Sequence, residues 1–501
     1  MAKALMILGT GSDVGKSIVA TALCRILRNR GIRVAPFKAQ NMSNNSFITI
    51  EGGEIGRAQV VQAEASGLPP SIHMNPVLLK PSSSRGAQVV LQGRVHGQMT
   101  AAEYHAYKPR LRKTILDSYR RLSETADVIV MEGAGSCCEM NLKAHDLVNF
   151  PMAEAVGAPC ILVGDIDRGG IFAQLLGSHQ LMTRKERALT AGFVINKFRG
   201  DPRLFEKGID IIEEKSGKPV FGLVPFYHDI HIDPEDSVAV QEDQRTSRPV
   251  SAGTVNVGVL RLPSISNFTD LEILSREPGV VVNYLFRPSD LSPAYDLLIL
   301  PGAKNVMEDA VWLGRSGWKR AVARFRDEGG RVLGICGGYQ LLGRRILDPR
   351  GVESERERVS ALGLLPVDTE LAGDKVLQRV TGTCLMNGRR VRGYEIHMGR
   401  THRVGSRGRP FLRIRRPGFG TYREDGLFLP DGGVWGTYVH GLLDTPGFRG
   451  DLLNQIRRAK GLKARKPRQG RLARFHQYDR LARHFEAHWD TQRILDLVSA
   501  A

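Results

Sequence analysis

The chain has 501 residues, 42% of them hydrophobic and 25% charged, with 71 Lys+Arg against 52 Asp+Glu for a formal net charge of +19. This length exceeds what one core can hold, since single cores stop growing near ~250–300 residues, so two or three domains are expected. The composition excludes disordered, collagenous and coiled-coil classes, and the positive balance favours anionic partners: nucleic acid, a membrane surface, a nucleotide or a polycarboxylate.

The opening run is too short for a secretory signal, and no window holds about 18 uninterrupted apolar residues, which predicts a cytoplasmic protein with no membrane partner. The cysteines, Cys24, Cys137, Cys138, Cys160, Cys336 and Cys384, are scattered without a C-x-x-C pair. Neither a disulfide framework nor a structural metal is signalled, so a functional cysteine should be catalytic.

Residues 1 to about 233 alternate apolar runs of strand length (ALMIL, RVAPF, VIVM, PCILVGD, GFVIN, VFGLVPF) with helical patterns. This predicts a doubly wound α/β domain with sites at the C-terminal ends of its strands. The first strand leads into Gly9-Thr10-Gly11-Ser12-Asp13-Val14-Gly15-Lys16-Ser17 and then an amphipathic helix, the context of a phosphate loop. Gly11 and Gly15 let backbone amides face phosphate oxygens, Lys16 reaches the β/γ oxygens and Ser17 can hold Mg²⁺. The spacing differs from the common loop, because Thr10 occupies its first Gly position and Gly9 stands one residue earlier. ATP or GTP binding follows.

The second strand ends in Lys38-Ala39-Gln40-Asn41-Met42-Ser43-Asn44-Asn45-Ser46, whose amides and hydroxyls can bind a polar ligand while Lys38 neutralises transferring charge; an ordinary Asn/Ser-rich loop is the competing reading. The run Val128–Met131 ends at Glu132, placing a carboxylate where a nucleotide's metal would sit. Asp165 and Asp167, at the end of another strand, are weaker candidates that could instead cap the next helix.

Residues 234–253 are polar and read as a linker. The α/β alternation resumes at 254 through VNVGVLRL, GVVVNYLF and DLLILPG, and gives way before 447 to Gly-rich segments expected to form antiparallel hairpins. Within this part, Arg331–Ile335 is a strand ending at Cys336, followed by Gly337, Gly338 and a helix. Such a turn lifts a nucleophile out of its sheet and leaves room for an oxyanion hole. His440 supplies a base, with His397 an equal competitor on spacing. A Cys/His pair performs acyl transfer, and the carboxamide of glutamine is one suitable substrate.

These motifs together resemble the cobyric acid synthase family, the glutamine-dependent amidotransferases of cobalamin biosynthesis. The carriers are GTGSDVGKS, FKAQNMSNNS, EIGRAQVVQAEASG, MNPVLLKPSS, EGAGS, LPSISNFTD, LPGAKN, GICGGYQLLG, GYEIHMG and VWGTYVHGLL, spread over nearly the whole chain. The first half is similar to the dethiobiotin synthetase type of ATP-binding domain, the second to class I glutamine amidotransferases. The resemblance implies Cys336 as nucleophile, His440 as acid/base, and an oxyanion hole from Gly337 and the Gly302-Ala303 turn. It also implies ATP at Gly11, Gly15, Lys16, Ser17, Lys38 and Asn196, Mg²⁺ at Ser17 and Glu132, and corrin contacts among Gln40, Asn41 and Tyr394. The implied substrate is adenosylcobyrinic acid a,c-diamide, amidated at its b, d, e and g carboxylates, with glutamine as nitrogen donor. The general triad places Glu two residues after the His; here that residue is Leu442, with Asp444 nearby, so the third member stays open.

Two rivals are the sister enzyme that amidates the a and c positions and a nucleotide-dependent nucleic-acid-binding ATPase. The second leaves Cys336 and His440 unexplained. Residues 401–501 hold 20 Lys+Arg and 9 Asp+Glu, and Arg457 to Arg474 has nine basic residues and no acid. Lacking interleaved aromatics, residues 448–501 read as a solvated basic helical tail, with no nucleic acid expected as a partner.

Overall fold

The computed structural model, described over residues 2–83, 86–233, 248–468 and 470–499, divides into two units. One comprises Met1–Ser43, Thr49–Asp233 and Arg474–Ala501; the other comprises Asn44–Ile48 and Pro234–Ala473. Most of the expected linker, 234–247, lies outside the described residues.

The first unit is built on β1 (Lys3–Gly9), β2 (Val34–Phe37), β3 (Val128–Glu132), β4 (Cys160–Asp165), β5 (Thr190–Phe198) and β6 (Val220–Pro225). These form one parallel sheet in the order β6-β5-β4-β1-β3-β2. β3 and β4 are buried at every residue, as apolar strands covered on both faces must be. Met6, Leu8, Ile129 and Met131 enter one core and Leu5, Ile7, Val128 and Val130 the other, the period-two alternation of a strand between two helical layers. Strand order reverses around β1, so its C-terminal end, beside those of β3 and β4, is where a doubly wound sheet opens a crevice. The helix α1 (Lys16–Asn29) starts directly from that end.

The second unit continues the numbering with β7 (Val255–Leu260), β8 (Val280–Leu285), β9 (Leu297–Leu300), β10 (Arg331–Ile335), β11 (Val367–Cys384), β12 (Arg390–Arg403), β13 (Arg409–Arg415), β14 (Arg423–Phe428) and β15 (Val434–Thr437). Its parallel part runs β8-β7-β9-β10-β15, and the sheet then continues through antiparallel β14, β13 and β11, with β12 paired to β11. The Gly-rich segments thus form the expected hairpins, appended to a doubly wound sheet.

The C-terminal residues are not a solvated tail. The helix Pro446–Ala459 buries Phe448, Leu452, Leu453 and Ile456 in the core of the second unit. The last two helices, Gly470–Glu486 and Thr491–Ser499, and the connection between them place Tyr478, Leu481, Phe485, Trp489, Ile494 and Val498 in one core with Leu5, Ile7, Val128 and Val130 of the first unit. Their basic residues hide an apolar stripe in the composition. Part of the charge is also paired: the fully buried Arg449 donates to Glu277 at 2.7 Å, and Lys460 reaches Asp296 at 2.8 Å.

Candidate functional sites

In the first unit the loop after β1 is fixed by backbone geometry. The Thr10 N–H donates to Val163 O at 3.0 Å, and Asp13 and Gly15 take left-handed φ values of 58° and 104°. A Cβ on Gly15 would lie 2.1 Å from Asn196 Nδ2, and that same amide donates to Val14 O at 2.9 Å. Asn196 therefore braces the loop from β5. Lys16 Nζ donates to Gly11 O and Gly135 O, each at 2.8 Å, curling its ammonium over the loop.

Glu132, at the end of β3, is 1% exposed. Ser17 Oγ and Lys38 Nζ both donate to its Oε1 at 2.8 Å, and Gln62 Nε2 donates to Oε2 at 2.5 Å. Burial alone would raise this carboxyl; Lys38, Gln62 and Ser17 together hold it below the usual range. Ser17 and Glu132 are hard oxygen donors converging at a loop built for phosphates, which fits Mg²⁺. Among the described residues no group of three or more His, Cys, Asp or Glu could hold a metal. Phosphate and water oxygens would have to complete the shell, the normal arrangement for this ion.

Asp165 instead accepts from Lys197 Nζ at 2.8 Å, and Asp167 from Arg199 at 2.6 Å. Gln40 accepts from the Tyr104 hydroxyl at 2.6 Å, and Asn41 donates to Gln59 at 3.0 Å. Gln62, inside EIGRAQVVQAEASG, carried no individual signal in the sequence, because its role depends on which helical face meets β3.

In the second unit Cys336 sits between β10 and the helix Gly337–Leu342 with φ 53° and ψ −109°, a strained conformation for a residue with a side chain. Gly338 makes the turn possible: a Cβ there would lie 2.0 Å from Leu300 O. One on Gly337 would lie 2.7 Å from Ala303 N, so the two backbone segments expected to form the oxyanion hole are neighbours. The Cys336 Sγ donates to Ile396 O at 3.4 Å, and Cys336 is close enough to His440 for its charge to favour the protonated ring. His397, the competing base, is engaged elsewhere: its Nδ1 is 2.8 Å from Gly399 O, and its ring stacks on Tyr438 at 3.7 Å.

His440 is 1% exposed, and its Nδ1 lies 2.7 Å from Asp270 Oδ2. The other Asp270 oxygen accepts from Gly441 N at 3.1 Å, so the carboxylate is fixed at both ends. Burial pulls the imidazole pKa down, but the charges of Asp270 and Cys336 outweigh it and push the value up to about 10. A carboxylate against the far ring nitrogen is the orienting third partner that Leu442 cannot be. It comes from the LPSISNFTD segment, 170 residues before the histidine, where no local spacing rule could find it. Tyr394 lies beside His440: the two exchange backbone hydrogen bonds of 3.1 and 2.8 Å, and their rings stack at 5.4 Å.

Residues 5–239 match the CobQ/CobB/MinD/ParA nucleotide binding domain, and residues 256–448 the CobB/CobQ-like glutamine amidotransferase domain. The chain is 51% identical to a cobyric acid synthase of Syntrophobacter fumaroxidans, over 99% of both chains. It is 46% identical to one of Chlorobium chlorochromatii, over 99% of this chain and 97% of that one, and 46% identical to one of Sorangium cellulosum, over 99% and 98%. No helix among the described residues is long and apolar enough to cross a membrane. With a nucleotide-binding half, an amidotransferase half and full-length relatives of one name, the chain belongs to the cobyric acid synthase family, the glutamine-dependent, ATP-using amidoligases of cobalamin biosynthesis.

Proposed function

We propose that this chain amidates the b, d, e and g carboxylates of adenosylcobyrinic acid a,c-diamide in the cytoplasm, with ammonia drawn from glutamine at Cys336. The observation that carries the glutamine half is the Cys336–His440–Asp270 arrangement at a strained strand-to-helix turn. His440 takes the thiol proton, and the thiolate attacks the side-chain carbonyl carbon of glutamine. The oxyanion is met by the backbone amides of Gly337 and the Gly302-Ala303 turn. His440 then returns the proton to the nitrogen, the C–N bond breaks and ammonia leaves. Water attacks the glutamyl thioester, giving glutamate and the free thiol.

The synthetase half rests on the phosphate loop. A carboxylate is a poor acceptor of ammonia, so it is first phosphorylated by ATP, and ammonia then displaces phosphate from the acyl phosphate. Gly11, Gly15 and Lys16 hold the phosphates, Lys38 faces the transferring group, and Asn196 keeps the loop in shape. Ser17 and Glu132 would hold Mg²⁺, which neutralises phosphate charge when bound. Gln40 and Asn41 would meet the corrin from the loop after β2. The family resemblance also offers Tyr394 for corrin contact, and its place beside His440 fits better a role at the glutamine site.

The test is amidation of the corrin diamide by wild type and Cys336→Ala, with glutamine or with ammonium. Loss of glutamine use with retention of ammonium use is expected. Full glutamine use by the variant would sink the assignment. Amidation of cobyrinic acid at a and c in preference to the diamide would favour the sister activity.

A further inference from the structure

The short segment Asn44–Ile48 is assigned to the second unit although the residues on both sides of it, Ser43 and Thr49, belong to the first. Its contacts within the second unit converge on one place. The Ser46 N–H donates to Asn267 Oδ1 at 2.9 Å, and Ser46 O lies 3.4 Å from the Tyr394 hydroxyl, which donates to it. The Phe47 ring packs edge-on against Tyr394 at 4.7 Å, and Ile48 is buried with Tyr394 and Ile396.

Both residues that hold Ser46 also touch His440. Tyr394 stacks on its ring, and Asn267 Nδ2 lies 3.4 Å from its Nε2. Asn267, left-handed at φ 49°, begins the turn Phe268–Leu271 that carries Asp270. One turn therefore addresses both ring nitrogens, Asp270 at Nδ1 and Asn267 at Nε2.

The donor inventory fixes which way the Asn267 amide points. A backbone N–H can only donate, so the atom facing Ser46 is the oxygen, and the NH₂ faces His440. An NH₂ there suits a neutral ring, whose Nε2 lone pair accepts. It opposes an imidazolium, whose Nε2–H would meet another donor. Asp270, Cys336 and Tyr394 are the titratable groups facing this ring, and the first two favour its protonation.

We propose that Asn267 is a positioning residue that sets the proton balance between Cys336 and His440, and that Ser46 holds it in the restraining orientation. While Ser46 is seated, the Asn267 NH₂ works against the imidazolium that Asp270 and Cys336 favour, so the thiolate–imidazolium pair is held below the level it reaches with an acceptor at Nε2. When Ser46 withdraws, the amide turns over, its oxygen accepts from Nε2–H, and the thiolate is released for attack. This rests on the Cys336/His440 reading above.

The experiment measures iodoacetamide alkylation of the Cys336 peptide in the full chain against pH, by mass spectrometry, alongside glutamine hydrolysis without corrin or ATP. Asn267→Asp places an acceptor at Nε2 permanently. Its alkylation profile should move acidward by about one unit, with about tenfold faster labelling at neutral pH and raised idle hydrolysis. Asn267→Gly keeps the left-handed backbone, removes the NH₂ and should shift the profile the same way by less. A merely structural role would lower hydrolysis in both variants without moving the pH profile, and that result would overturn the switch. Cys336→Ala distinguishes the two failures: glutamine hydrolysis surviving it defeats the nucleophile assignment, whereas its loss alongside unmoved Asn267 profiles defeats only the switch.

Discussion

Each unit buries a carboxylate at the heart of its candidate site, Glu132 in the first and Asp270 in the second, and the two are satisfied in different ways. Glu132 accepts from three side chains, Ser17, Lys38 and Gln62, and its charged partner is the Lys38 ammonium. Asp270 accepts from one imidazole and one backbone N–H. The first arrangement is a standing charge that can organise phosphates and a hard cation. The second couples a carboxylate to the one side chain that exchanges protons near neutrality. A site for holding charge and a site for moving protons are thus distinguished by the partner of the acid.

The largest effects should come from removing the residue that defines each site. Lys16→Ala is expected to lower amidation by about a hundredfold or more with either nitrogen source, because a cation at the transferring phosphate is lost. Alkylation of Cys336 in that variant should be as fast as in wild type. If ammonium-dependent amidation survived Lys16→Ala, the division of labour between the two units would fail. Asp270→Asn keeps the shape but no longer favours the imidazolium, and glutamine-dependent amidation should fall about a hundredfold to ten-thousandfold while ammonium use persists. Asp444→Asn should change glutamine use by less than about twofold, because Asp270 already occupies the far nitrogen of the His440 ring. The reverse ranking would return the third position to Asp444.

How far each site could be read from the sequence follows from the same contrast. The phosphate loop is contiguous: the nine residues Gly9–Ser17, running from the end of a strand into the start of a helix, carry their own geometry, and Glu132 is found because an apolar strand must end somewhere. Cys336 and His440 are marked by flanking glycines that let backbones approach closely. Asp270 and Asn267 carry no such mark, since they act through a turn whose position is fixed only when β7 and β15 enter one sheet. The C-terminal helices escaped for a related reason. Their apolar residues are spaced for a helix, but dense Arg and Lys on the other face dominate the composition, and the core they complete lies at the opposite end of the chain.

A smaller effect should test that last point. Phe485 is fully buried against the first unit's sheet, and Phe485→Ala should cost about 3–5 kcal/mol of that unit's stability. Urea unfolding can be followed unit by unit through alkylation of two fully buried thiols, Cys24 in the first and Cys384 in the second. The Cys24 midpoint should drop and the Cys384 midpoint stay. Equal drops would mean the helix stabilises both units rather than the one whose core it enters.

The same two thiols can expose the difference between the acids, because their linkage to pH has opposite sign. Glu132 has a folded pKa below its ordinary 4.5, so it contributes stability above that value and loses it as pH falls. His440 is raised from 6.5 to about 10, so its contribution is full below about pH 6.5 and is lost as pH rises toward 10. Burial also raises Glu353 to about 7 and Asp309 and Asp425 to about 6, and raised carboxyls likewise favour the folded state at low pH and weaken it as they ionise. The Cys384 midpoint should therefore fall from about pH 4 to about pH 7 as the raised carboxyls ionise and again from about pH 6.5 toward about pH 10 as His440 deprotonates, while Glu132 makes the Cys24 midpoint fall on acidification toward about pH 4. Asp270→Asn should flatten the part of the Cys384 decline above about pH 7, since without the carboxylate His440 loses its main reason to stay protonated in the folded state. If the decline above about pH 7 kept its slope in that variant, the second unit's alkaline weakness would not belong to His440, and Glu353, Asp309 and Asp425, already ionised there, would not account for it either.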